Sequence, residues 1–512
     1  MKKFFLILFA SFSLLALNAC RDDDEQIDDP VPVVPTPEEP EVPVVPNDTA
    51  PDYLIMHYSH GSTNLDDCIL PNIVNALDEG TNDKVKMTFQ YKLSNNYQIQ
   101  YESIKDYNFS GTRSFTADDN KHLIGKYNEF VFEKKYTMTK EKIDSLCGII
   151  NSELFADRKY VMSCAEGLGD FIKWSKEQYP NAKRTILVIG GHGLGWRLEN
   201  DGLVDNNSGQ SRAFLFNDRN LSELDSLTLN ETIEGIRQGG GVDLLYTDCC
   251  LMGMYENIYG YANCAKYLLS SFNEIPGRGG YYSQLLKLLK DSGNTDLEFE
   301  NAMHQYVDVC TSKEWWSKDT PIYSDLGFYN LTKLDYLTPV LKKLTDTLTE
   351  NYKTFDQYIH DAVRSCEISF HYIPDYRYII KEHSYSISDM IRILDKNLDA
   401  AGEKNNPFKE IRQELIEAFK SIAYIKKSGI DDIRYIDQDY ELCTPGVTII
   451  PFNEEHYYDI GDFVTSKIPN VYDAISIYQT LDFDKQVGWS RFLQMIDVCP
   501  SIDTNPSRKY IE

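Results

Sequence analysis

The chain is short of positive charge. Its 512 residues hold 51 Lys and Arg against 79 Asp and Glu, a formal net charge of −28. Such a balance excludes the concentrated basic surface on which nucleic-acid binding depends. There is no glycine-rich phosphate loop, no His-Glu-x-x-His helix and no clean twelve-residue calcium loop, so none of these sites is expected. Eleven cysteines are present, yet none forms Cys-x-x-Cys and none alternates with histidine in a zinc-like spacing. No repeat of fixed period stands out, which argues against a solenoid. Phe4 to Leu17 is apolar but too short to read as a transmembrane helix. What remains is ordinary for a soluble globular chain: 42% hydrophobic and 25% charged residues, with length enough for more than one domain.

The N-terminus reads as an export signal. Met1-Lys2-Lys3 is a charged start, Phe4 to Leu17 an apolar core, and Leu17-Asn18-Ala19-Cys20 resembles a bacterial lipobox. Cys20 is the expected lipidated first residue of the mature protein. Arg21 followed by Asp22-Asp23-Asp24-Glu25 resembles the acidic tag of surface-exposed lipoproteins. Residues 21–51 form an acidic, proline-rich tether, since proline at that density favours an extended spacer without a core. The expected location is the bacterial cell envelope, lipid-anchored in the outer membrane and surface-exposed, with the membrane contacted through the lipid alone.

The folded part is expected from Asp52 onward. Tyr53 to Tyr58 and Lys86 to Tyr91 read as strands, while Thr185 to Gly190 and Val242 to Tyr246, Asp243 apart, are apolar and β-prone. Runs of that kind fit strands buried on both faces of a parallel sheet. Helical spacing lies between them, as in Glu166 to Glu177, giving the strand–helix alternation of an α/β fold. Beyond about residue 290 helices dominate, interrupted at Ile322 to Tyr329, with a helix over Phe408 to Ile425 and a late strand over Thr444 to Phe452. Arg197 to Leu229 reads as an acidic polar loop of the kind where proteolytic nicking concentrates.

Two strand ends carry reactive groups. Thr185 to Gly190 leads into Gly191-His192-Gly193-Leu194-Gly195-Trp196, and Val242 to Tyr246 leads into Asp248-Cys249-Cys250-Leu251-Met252-Gly253. A histidine and a thiol at neighbouring strand tips form a dyad able to attack a carbonyl. A helix beginning near Gly253 is expected to lower the thiol pKa through its dipole. With Glu274-Ile275-Pro276-Gly277-Arg278-Gly279, these turns resemble, in order, the motifs of the clostripain-type cysteine peptidases, over about residues 52–496. The resemblance implies a caspase-like fold: a mainly parallel sheet flanked by helices (52–290), followed by a helical and mixed C-terminal extension (291–512) packing on it.

The resemblance also implies roles. Cys250, which directly precedes Leu-Met-Gly, is the nucleophile, and strand alternation puts Cys249 on the opposite face. His192 is the acid/base group. The backbone N–H groups of Gly193 and Cys250 form the oxyanion hole. Asp248, aided by Glu274, selects a basic P1 side chain; the alternative, read from the residues alone, is that Asp248 caps the following helix. Arg278 departs from the family pattern, a cation in the substrate loop that would oppose a basic P1. Arg212 is the expected point of self-cleavage. The expected activity is endoproteolysis after Arg or Lys by a monomer acting on peptide or protein substrates. No metal or other cofactor is expected, with calcium left open at the acidic turns around Asp201 and Asp205. The rival reading is a catalytically inactive surface lipoprotein of the same fold that binds peptides or glycans. A second is another acyl-transfer enzyme on the same scaffold. His57 and His60 are distant alternatives to His192, and the other cysteines read as small buried apolar residues.

Overall fold

In the computed structural model, residues 50–61, 65–93, 111–118, 156–157, 162–199, 210–215, 226–273, 275, 279–312, 324–366, 368–373, 378–428, 445–449 and 471–497 are described. Their strands in chain order are β1 (Tyr53–His60), β2 (Val85–Leu93), β3 (Gly111–Thr116), β4 (Ala156–Asp157), β5 (Arg184–Gly190), β6 (His192–Glu199), β7 (Gln210–Leu215), β8 (Ser226–Thr228), β9 (Val242–Asp248), β10 (Ala265–Ser270), β11 (Ser324–Asn330), β12 (Ile368–Ile373), β13 (Tyr378–Ser386), β14 (Ala423–Ser428) and β15 (Gly446–Thr448).

One nine-stranded sheet runs in the order β14-β11-β10-β9-β5-β1-β2-β3-β4. Its centre, β10-β9-β5-β1-β2, is parallel. The edges are antiparallel, with β11 and β14 on one side and β3 and β4 on the other. This is the caspase-like arrangement of a mainly parallel sheet between helices.

The central strands are mostly apolar because both faces are covered. Along β1, Leu54, Met56 and Tyr58 enter one core, while Tyr53 and Ile55 enter the other. β5 divides the same way, Leu187 and Ile189 against Ile186 and Val188. The second core is closed by helices Asp66–Glu79, Tyr282–Asp291 and Asp296–Cys310. Helices Ala165–Gln178, Leu229–Gln238 and Tyr255–Tyr261 cover the first, together with the long helix Leu334–Ser365 and helices Ile387–Ala400 and Phe408–Ile422. Residues beyond 290 therefore share the first core. They also lengthen the main sheet, through β11 and β14.

Two local expectations are corrected. Helix Phe408–Ile422 stops before Ile425, and the chain turns at once into β14. The stretch read as a loop after Arg197 carries β7, the middle strand of the small sheet β6-β7-β8. In that sheet Arg212 pairs with Arg197 on one side and Thr228 on the other.

Burial also fixes the charge state of two histidines on β1. His57 and His60 are 1% and 0% exposed, and desolvation holds both rings down at about 3. The unfolded value lies near 6.5, so the unfolded chain takes up protons first. Their neutral forms support the fold above about pH 6.5, and that support is lost as pH falls toward the folded values. The melting temperature is expected to drop between about pH 6.5 and 4. The drop should shrink in His57→Phe, whose ring would meet the same Phe89 and Tyr282 neighbours. A pH profile by differential scanning calorimetry that is identical in the variant would refute the assignment.

Candidate active site

Parallel pairing of β5 with β9 sets Gly190 opposite Asp248. Each strand then turns away from the sheet, one through Gly191 into His192 and the other through Cys249 into Cys250. The two turns press on each other. A Cβ built on Gly193 would lie 2.1 Å from the Cys250 carbonyl oxygen and 2.8 Å from Cys249 Cβ. Gly195 has a φ of 65°, and its Cβ would lie 2.4 Å from Met254 Sδ. Only glycine allows this approach, which accounts physically for the His-Gly-x-Gly spacing. His192 and Cys250 are both half-buried at this junction.

The two cysteines are separated as alternation predicts. Cys249 is fully buried in the first core, and its thiol donates to the Ile189 carbonyl oxygen at 3.3 Å. Burial pushes that thiol far up, helped by the neighbouring Asp248 and Cys250. Cys250 Sγ instead meets the Ile275 backbone: the Ile275 N–H donates to it at 3.3 Å, and the thiol donates to the Ile275 carbonyl at 3.6 Å. The carbonyl suits the thiol and the N–H suits the thiolate. Helix Tyr255–Tyr261 starts only behind the turn, with Met254 at its N-cap. In place of the expected helix dipole, the peptide N–H of Ile275, in the loop that follows β10, meets Cys250.

That loop is itself held by Asp325 of β11, a buried residue that sequence reading missed. Its carboxylate accepts from Ser271 Oγ, Phe272 N and Asn273 N at 2.9 Å each, and from Asn273 Nδ2 at 3.1 Å. The loop in turn accepts the Leu251 N–H at Asn273 O (3.0 Å) and the Gly253 N–H at Ser271 O (2.6 Å). Leu251 needs such support, because it sits at a φ of 63°, a conformation that costs a non-glycine residue roughly 1–3 kcal/mol.

Asp248 is 5% exposed. Its Oδ2 accepts from Tyr282 Oη and from the Gly280 N–H at 2.9 Å, and among the described residues Oδ1 accepts only a long bond, 3.4 Å, from Tyr246 Oη. Desolvation pushes its carboxyl up, while these donors pull the other way. A carboxylate has about four acceptor positions, so Oδ1 keeps capacity for a cation. The following helix has Met254 at its N-cap and no side-chain cap, so Asp248 does not serve as one.

Of the other expected residues, Glu274, Arg278, Asp201, Asp205 and Cys20 lie outside the described residues. Arg212 lies within β7. His57 and His60 are buried and neutral, with Ser59 Oγ 3.1 Å from His57 Nδ1. Among the described residues no group of acidic, His or Cys side chains is arranged to hold a metal, and no disulfide joins the seven described cysteines to one another. Cys264, Cys310 and Cys366 are buried, as expected of small apolar residues, whereas Cys68 and Cys164 are half-buried. In the folded protein, iodoacetamide is expected to alkylate Cys250 and spare Cys249. Peptide mapping that finds both equally modified under native conditions would contradict this packing.

Comparison with known proteins converges on one relationship. A family model for the clostripain family, peptidase C11, matches residues 113–495. Clostripain of Hathewaya histolytica is 27% identical over 257 residues, covering 48% of this chain and 43% of that protein; the match thus spans less than half of the relative's length. A secreted C11 cysteine protease from Bacteroides thetaiotaomicron, solved with an irreversible peptide inhibitor, superposes with a TM-score of 0.50 at 12% identity, covering 87% of this chain and 99% of that one. An inactive zymogen C11 protease from Parabacteroides distasonis gives 0.47 at 13% identity, over 86% and 99%. With three quarters of its length matched by the family model and its His and Cys turns brought together at adjoining strand ends, the chain belongs to the clostripain family.

Proposed function

We propose that this protein is a cysteine endopeptidase that cleaves after Arg or Lys, with Cys250 as nucleophile and His192 as acid/base. The observation that carries this reading is the meeting of the two turns at Gly193, where His192 and Cys250 share a half-buried junction. In the reaction, His192 takes the Cys250 proton and the thiolate attacks the scissile carbonyl. The N–H groups of Gly193 and Cys250 receive the oxyanion, His192 returns the proton to the leaving amine, and water releases the acyl-enzyme. The Ile275 N–H supports the thiolate before attack. Burial of Cys249 explains the cysteine doublet as packing, which weakens the case for an inactive binding protein.

Asp248 supplies the preference for a basic side chain at P1. Its raised pKa means that the charged form needed to bind a cation is lost at a higher pH than for an ordinary aspartate. For basic substrates kcat/KM should therefore fall on the acid side from an unusually high pH, and Asp248→Asn should remove that limb. The same variant should lower kcat/KM on Arg and Lys substrates about 100-fold, the loss expected from removing one partner of a buried charge pair. An unchanged profile would free Asp248 of this role.

Self-cleavage after Arg212 belongs to the same reading, on the condition that β7 first leaves the sheet it shares with β6 and β8. The chain acts as an exported monomer on peptide or protein substrates, held in the envelope by lipid on Cys20. No cofactor is required. Activity that survives EGTA would dispose of calcium at Asp201 and Asp205.

The deciding experiment treats the protein with an arginine-ended acyloxymethyl ketone and maps the adduct by mass spectrometry. Labelling is expected on Cys250, lost in Cys250→Ala and His192→Ala and retained in Cys249→Ala. Absence of any cysteine adduct with basic and non-basic probes alike would overturn the peptidase reading.

A further inference from the structure

Behind the two catalytic turns lies a fully buried polar cluster drawn from distant parts of the chain. Thr448 of β15 is its hub. Trp196, in the His192 turn, donates its indole N–H to Thr448 Oγ1 at 2.7 Å. Thr448 N–H donates to Glu256 Oε1 at 2.9 Å, and Tyr478 Oη donates to the same oxygen at 2.8 Å. Trp489 donates its indole N–H to the Thr448 carbonyl at 2.8 Å. All five side chains are 0% exposed. Glu256 belongs to the helix that follows the Cys250 turn, and β15 also touches that turn directly, through Gly446 N–H to Gly253 O at 2.9 Å.

Thr448 therefore holds both sides of the junction. Its backbone is tied to the Cys250 side through Glu256 and the adjacent Gly446–Gly253 bond. Its hydroxyl is tied to the His192 side through Trp196. Between these anchors the chain has little slack, because Gly193 and Gly195 rest against Cys250 and Met254 with no room for a Cβ. Within a buried site each bond restrains position strongly, since an unpaired indole N–H has no water to turn to.

We propose that Thr448 is a positioning residue for the catalytic dyad, setting the reach of His192 to Cys250 through Trp196. The proposal rests on the Cys250/His192 reading, and its test includes a measurement that needs no turnover. Thr448→Val keeps the shape and the backbone bonds while removing the hydroxyl, which accepts from Trp196 and also reaches Glu256. Thr448→Ser restores the acceptor. Trp489→Phe loosens the same cluster without touching the Trp196 link. On an arginine amide substrate, Thr448→Val should lower kcat at least tenfold with KM within twofold. Thr448→Ser should recover most of that loss. Trp489→Phe should lower the melting temperature and leave kcat within twofold.

The rate of Cys250 alkylation by iodoacetamide at neutral pH provides the independent readout. It should fall in Thr448→Val as it falls in His192→Ala. A positioning role is overturned if Thr448→Val and Trp489→Phe lose stability alike while kcat and alkylation stay at the wild-type level. If His192→Ala itself leaves alkylation unchanged, the dyad fails and the role of Thr448 fails with it. If the wild type alkylates in a His192-dependent way yet cleaves no basic substrate, only the substrate assignment is lost, and alkylation of Thr448→Val still decides the matter.

Discussion

The site depends on the parallel register that sets Gly190 against Asp248. A slip of one residue along either strand would turn every side chain to the other face, sending Cys249 toward the loop and Cys250 into the core. The register is held by burial on both sides: β5 and β9 each feed alternate residues into two separate apolar cores, so no shifted pairing keeps both cores filled. Catalytic geometry here is a by-product of core packing. The two turns add little freedom of their own, because one has space only for glycine where it crosses the other.

Electrostatics at the junction is arranged by backbone as much as by side chains. Peptide groups of the loop after β10 meet the Cys250 sulfur, and a carboxylate on the neighbouring strand, Asp325, keeps that loop still by accepting four hydrogen bonds. Its counterpart Asp248 is dressed by Tyr282, Gly280 and Tyr246, leaving one oxygen lightly used. Both carboxylates are buried, and buried charge is tolerated only where donors surround it. Asp325 spends its acceptor capacity on structure, whereas Asp248 Oδ1 accepts one long bond among the described residues.

Much of this was legible in the sequence, and the reasons it was legible are physical. β1, β5 and β9 announce themselves because a strand covered on both faces is apolar at most of its positions. Cys250 was separable from Cys249 because strand alternation has a fixed period. The edge strands were harder to read. β14 follows Phe408–Ile422 with no break in its apolar residues, so helical spacing appears to continue past the real boundary. β7 hides in a polar stretch because pairing in a small sheet makes few apolar demands. Asp325, Glu256 and Thr448 carry no local signal at all. Their meaning lies in partners on other elements, and a single sequence shows a lone acid or hydroxyl without its donor.

The distance along the chain between Trp196 and Thr448, 252 positions, has a consequence for timing. Chains are made, and exported chains are threaded, from the N-terminus onward. His192 and Cys250 emerge long before the strand that ties their turns together, and loop closure over such a span comes late in folding. A partly delivered chain thus carries both reactive side chains without the brace that aligns them. The order of the sequence alone delays the completed site until nearly the whole chain has arrived, a safeguard for a protein whose own backbone contains the arginines and lysines it is proposed to cut.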